Sequence, residues 1–261
     1  MSRSNSRPAI THSSGRWYNE SELRMVSTIL MVIAVGGGLL FLLIYTTGQF
    51  DGSYGEQLFH LLYGFNAIII SSAVVLLALA ALLYKDIVVG VVGLACCCWF
   101  LGSFYWTSFV WLGGNVLTYP SVAELSFQSF HILILIVGGL LLRETGEHGR
   151  KYLWGFALLL ASTPAIIHFF VEMELTVLLV NTFQLFLIGL VTILGVKLLI
   201  SRTYSLFGLA LLMFSVADIG FHLTTLIDQA PVVMMLDPLW FSSHALIAVT
   251  MIRYAQAGEL P

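Results

Sequence analysis

The chain has 261 residues, of which 59% are hydrophobic, 13% aromatic and only 10% charged, with a mean hydropathy of +0.94. A soluble domain carries about 25% charged residues, so the composition excludes a water-soluble globular enzyme and a disordered chain. With 11 basic against 14 acidic residues there is no basic surface for phosphates, which excludes nucleic acid as a partner. The expected fold class is all-α, a polytopic helix bundle whose immediate surroundings are the lipid bilayer.

Residues 1–24 are polar and rich in Ser and Arg, too short for a folded domain, and are expected to be a disordered cytoplasmic segment. The apolar run that follows is too long for a signal-peptide core and is read as a retained first helix. From there the chain reads as eight spans, at about 25–47, 57–84, 87–111, 124–142, 152–171, 175–199, 205–227 and 237–255. They make one membrane domain over 25–255, with 256–261 as a cytoplasmic tail. In the first span, glycines 36–38 are expected to permit close helix packing.

The third span holds three consecutive cysteines, 96–98, which point in different directions on a helix and read as small packing residues or, less favourably, one ligand thiol. It ends in an aromatic run: Trp99, Phe100, Phe104, Tyr105, Trp106, Phe109 and Trp111. Such a run marks the membrane interface. It starts too deep for a belt alone, so Tyr105 and Trp106 are expected to wall a pocket for a small ligand or cofactor.

The fourth and eighth spans open alike. AELSFQSFHILILI and LDPLWFSSHALIAV each carry an acid followed seven residues later by a histidine, Glu124/His131 and Asp237/His244. Seven residues are nearly two turns, so acid and histidine share a face. The offset is close to half the chain, which predicts a 4+4 duplication with both halves in the same direction.

The basic residues orient the bundle. Arg3, Arg7, Arg16, Arg24, Lys85, Arg143, Arg150, Lys151, Lys197, Arg202 and Arg253 all fall at one end of the eight-span arrangement. Asp51, Glu56, Glu124, Glu172, Glu174, Asp228 and Asp237 fall at the other. The positive-inside rule then puts both termini in the cytoplasm, of a bacterial inner membrane.

Five histidines lie inside spans, His60, His131, His168, His222 and His244, all in the acidic half. Ionisable residues at membrane depth are functional candidates. Carboxylates stand one turn from three of them: Glu56/His60, His168/Glu172 and Asp218/His222. A carboxylate that takes one ring N–H aims the other nitrogen at a metal, a haem iron or a proton. The candidate cofactor site is therefore His131, His222 and His244 with Tyr105 and Trp106, and the candidate metal set is His131, Asp218, His222 and His244. Haem, copper or zinc would suit such donors. Asn66, Gln128, Asn181 and Gln184 read as interhelical hydrogen-bonding residues. No HExxH pair, no lysine in the last two spans for a Schiff base and no phosphate loop is present.

Two segments carry a family likeness. YPSVAELSFQSFHILILIVGGLLL (119–142) has a Pro-Ser-x-Ala-Asp/Glu helix start, and LDPLWFSSHALIAVTMIR (236–253) has an Asp-x-x-Trp start. Both resemble the multispanning N-terminal sensory modules of bacterial diguanylate cyclases of the GGDEF class. That resemblance implies ligand or redox sensing; with no GGDEF effector after Arg253, signalling would pass through a partner protein or a homo-oligomer. Three functions stand open: a sensory or receptor module, a haem- or metal-binding redox subunit, and an intramembrane metal hydrolase or proton-coupled transporter.

Overall fold

The computed structural model describes residues 20–46, 53–112, 120–145, 153–168, 173–201, 203–226 and 236–257. Among them are eight helices and no strand: α1 Glu20–Thr46, α2 Ser53–Tyr84, α3 Ile87–Trp111, α4 Val122–Thr145, α5 Leu153–His168, α6 Leu175–Ile200, α7 Ser205–Leu226 and α8 Asp237–Ala257. Asp51, Glu172 and Asp228, the basic residues Arg3, Arg7, Arg16, Arg150, Lys151 and Arg202, and the tail beyond Ala257 lie outside the described residues. So do the side chains of Glu56 and His60, although α2 runs through them.

Six helices, α1, α2, α3, α4, α6 and α7, are long and apolar enough to cross a membrane. The outward faces show why lipid suits them. Leu61, Ile68, Val75 and Leu82 on α2, and Ile87, Leu94 and Leu101 on α3, recur every seven residues and are exposed. That is a helical stripe of bare hydrocarbon, which water would not tolerate over such an area.

The two remaining described helices are not among these six, for different reasons. α5 has 16 described residues, and it packs chiefly on α6. α8 is long enough, with 21 residues, but carries Asp237, Ser242, Ser243, His244, Thr250 and Arg253. Its polarity follows from its position. Every residue from Trp240 to Ile252 is buried, with α1, α2, α3 and α7 packed around it. A helix sheathed by other helices has no lipid to satisfy and can hold polar groups a peripheral helix cannot.

Close packing comes from glycine where backbones cross. A Cβ on Gly208 of α7 would run into the Leu199 amide nitrogen and reach 2.6 Å from the Gly195 carbonyl oxygen on α6. In the triplet, a Cβ at Gly38 would meet Pro238 at 3.0 Å and one at Gly37 would enter the Phe65 ring, whereas Gly36 faces open space. Two of the three glycines therefore serve packing.

A sharp turn joins α2 to α3 at the basic end. Lys85 ends α2 with a left-handed φ of 53°, and Asp86 caps α3 by accepting from the Val88 and Val89 amides at 2.8 and 3.3 Å. Arg24 at the start of α1 donates from Nε to Gln256 Oε1 near the end of α8 at 2.9 Å. The described basic residues Arg24, Lys85, Arg143, Lys197 and Arg253 each lie near a helix terminus facing this end.

Candidate functional site

The buried faces of α4 and α7 follow helical spacing: Glu124, His131, Ile134 and Leu141 on one, Phe207, Phe214, Asp218 and His222 on the other. Where they approach, His131 Nε2 stands 3.0 Å from Asp218 Oδ2. His131 is completely buried and Asp218 is 2% exposed. The contact has ion-pair distance, while the ring N–H direction is off the line for an aligned hydrogen bond.

Proton counting constrains this pair. His131 Nδ1 lies 2.7 Å from the Phe127 carbonyl oxygen, which can only accept, so Nδ1 carries a proton. Two lone pairs facing each other at Nε2 and Oδ2 would repel, so the pair carries one further proton, on the ring or on the carboxyl group. Imidazolium with carboxylate and neutral imidazole with carboxylic acid both satisfy that count. Either way the pair is neutral overall, the cheapest state for two ionisable groups away from water.

His244 on α8 repeats the anchoring. Its Nδ1 lies 2.8 Å from the Trp240 carbonyl oxygen, again four residues back. Nε2 then presents a lone pair, and it is buried without a hydrogen bond. The neighbouring ring nitrogen of Trp240 and the Ser215 hydroxyl are buried in the same condition.

Aromatic rings fill the space around both histidines. Trp99 lies with its ring centre 6.1 Å from His131 and 5.9 Å from His244. Phe214 is 5.5 and 5.6 Å from the same two rings, and Phe130 5.5 and 5.7 Å. Three side chains thus touch both imidazoles, and a haem held between His131 and His244 would have to expel them. Among the described residues no three His, Cys, Asp or Glu side chains gather as a metal-holding group. The expected metal set of His131, Asp218, His222 and His244 is therefore not assembled as ligands around one ion, and we assign no metal to it.

Nor do the expected aromatic walls take their places. Tyr105 is 40% exposed and Trp106 half-buried. The α3 aromatic in the core is Trp99, about two turns further from the outer end. Its position at the start of the aromatic run, deeper than a belt requires, is the signal that marks it in the sequence.

The other polar residues sort by depth. His222 is 7% exposed and lies within electrostatic reach of Asp218, His131 and Glu124. Glu124 is fixed at the first turn of α4, its Oε2 accepting from the Ser121 amide and, at 2.6 Å, from the Ser121 hydroxyl. This is a capping box, in which serine and glutamate satisfy the start of the helix together. Asp237 is buried at the start of α8, within electrostatic reach of Tyr63 on α2. Gln184 brings its amide to 3.5 Å from His131 Nδ1 and so belongs to the site, a role sequence reasoning gave it only as a general interhelical contact. His168 is exposed on α5, where it accepts from the Met173 amide at 3.2 Å, and stands apart from the core histidines.

No protein-family model, curated protein or solved structure matches this chain. Among the described residues, fold and site define a class, an all-helical membrane protein with six helices long and apolar enough to cross a membrane and a histidine–aspartate pair in its core.

Proposed function

We propose that this chain is a multi-pass bacterial inner-membrane protein of sensory or receptor type. Its eight helices would all span, both termini would be cytoplasmic, and the core around His131, Asp218 and His244 would be the responsive site. The observation that carries this reading is the one-sided distribution of buried carboxylates and histidines among the described residues. Glu124, His131, Asp218, His222, Asp237 and His244 all lie toward the acidic end. The basic-end half is filled by Ile134, Val137, Leu141, Phe207, Leu211 and Met251, each at most 1% exposed. A transporter needs polar steps on both sides of its site; a sensor needs a site on one side and mechanical continuity to the other. α8 supplies that continuity, running from His244 in the site to Gln256, which is bonded to Arg24.

The family likeness points the same way. The two segments that resemble GGDEF-class sensory modules form the starts of α4 and α8, the helices that carry the two anchored histidines. A 4+4 duplication draws support from the neighbour pattern. Advancing every helix by four maps the α2–α3, α3–α4 and α4–α6 contacts onto α6–α7, α7–α8 and α8–α2. The α1–α8 contact lacks an equally close α5–α4 counterpart among the described residues. A protein partner or a second copy at the basic end would receive the signal.

Two measurements test this reading. Reporter fusions at the C-terminus are expected to report a cytoplasmic location; an outer location overturns the orientation. Spin labels at Met25 and Ala255, at the basic ends of α1 and α8, are expected to show a shifted distance distribution when Asp218→Asn is introduced. Asparagine keeps the size of the side chain and cannot ionise, so any change reports the carboxyl group itself. An unchanged distribution in a folded Asp218→Asn variant sinks the sensory reading.

A further inference from the structure

We propose that His222, Asp218 and His131 form a proton path that opens only to the acidic end of the bundle, with Glu124 at its mouth, so that the signal read at the core is the proton activity on that side. This deepens the sensory reading by naming its ligand, and rests on it for the consequence of protonation but not for the path. Glu124 and His131 share a face of α4, seven residues apart, and Asp218 and His222 share a face of α7, one turn apart. The 3.0 Å contact of His131 with Asp218 joins the inner members of the two series. His222 lies one turn closer to the acidic end, within electrostatic reach of Asp218, His131 and Glu124. Each step thus has a titratable group in the next position outward.

Toward the basic end the series stops. Below His131 the next ten residues of α4, to Leu141, are apolar and span about 15 Å, and the buried Ser215 of α7 and Thr250 of α8 are neutral hydroxyls that do not titrate. Other groups packed on the pair are accounted for. α6 presents the amides of Gln184 and Asn181, and α3 the Trp99 ring with the Cys96 thiol one turn below. α8 presents His244, whose Nδ1 is held by the Trp240 carbonyl, and Asp237 at the start of the helix. Among these, His244 lies within electrostatic reach of Asp218 and is the competing proton acceptor.

Uptake of one proton converts the neutral pair to imidazolium with carboxylic acid, with no bond to carbon made or broken. The added positive charge sits beside the Trp99 ring, whose emission it quenches. Protein is reconstituted in one orientation in vesicles, the pH is dropped on one side by stopped flow, and the Trp99 component is isolated by difference against Trp99→Phe. Acid on the acidic-end side is expected to quench Trp99 at least tenfold faster than the same step on the basic side. His222→Leu is expected to slow that response at least tenfold while leaving its final amplitude intact, which also shows that the variant is folded. Glu124→Gln is the second path variant, with a smaller slowing, and His131→Leu is expected to abolish the response. Equal rates from both sides, an unchanged rate in His222→Leu, or a response that survives His131→Leu and is lost in His244→Phe overturns the path. A one-sided response without movement between labels at Met25 and Ala255 sinks the sensory reading and leaves the path standing. Movement in Asp218→Asn without a one-sided response does the reverse.

Discussion

His131→Leu is expected to destabilise the bundle by about 3 kcal/mol, at the low end of the cost of breaking a buried pair. The substitution leaves Asp218, 2% exposed, facing hydrocarbon and aromatic rings. A buried carboxyl group without its partner bears its desolvation cost uncompensated. Asp218→Leu should cost less, because the imidazole it strands is already anchored through Nδ1 to the Phe127 carbonyl. The double variant His131→Leu/Asp218→Leu is expected to lose much less than the sum of the two. Removing both partners removes the desolvation cost that each single change exposes. The coupling, read from unfolding in bicelles, should exceed about 1 kcal/mol, above the mean of about 0.6 for interhelical hydrogen bonds in membranes. Additivity of the two single changes within about 0.5 kcal/mol would show that the 3.0 Å contact carries no coupling.

Gly208→Ala is the second large effect. A single methyl would press on the Leu199 amide and the Gly195 carbonyl oxygen, atoms of the α6 backbone that cannot rotate away. The two helices must separate, and overpacking of this kind costs about 1–3 kcal/mol. We place Gly208→Ala near the upper value, because α6 also supports α4 and α5. Gly36→Ala is the internal comparison. Its Cβ meets nothing within 4 Å, so the helix should gain up to about 1 kcal/mol from reduced backbone freedom in the unfolded chain. Gly138→Ala falls between them, since the added atom meets only the flexible end of Leu194. If Gly208→Ala unfolds at the same denaturant concentration as Gly36→Ala, the α6–α7 approach is not as close as described.

Hydropathy and charge are one-dimensional signals, and what they encode was legible without coordinates. Membrane-length apolar runs set α1, α2, α3, α4, α6 and α7, because a backbone in hydrocarbon must satisfy its own hydrogen bonds and a helix does so locally. The acid-to-histidine spacing on α4 and α8 placed each pair on one face, since helical periodicity is a local property. The depth of Asp218 announced a partner, because an unpaired carboxylate at that level is too costly to keep.

Which partner it takes is a different kind of fact. Spacing along the chain paired Asp218 with His222 on its own helix, and the 3.0 Å contact with His131 depends on how α4 and α7 approach. That approach is set by side-chain volumes at positions far apart in sequence, among them Gly208 against α6 and Phe130 against Phe214 at 4.5 Å. The selection of Trp99 over Tyr105 and Trp106 has the same origin, since all three sit on one aromatic run and only helix rotation decides which turns inward. The place of α8 was likewise invisible. Its polarity made it the weakest span by hydropathy, and packing made it the central one, because a helix surrounded by other helices exchanges lipid contact for protein contact and no longer needs an apolar surface.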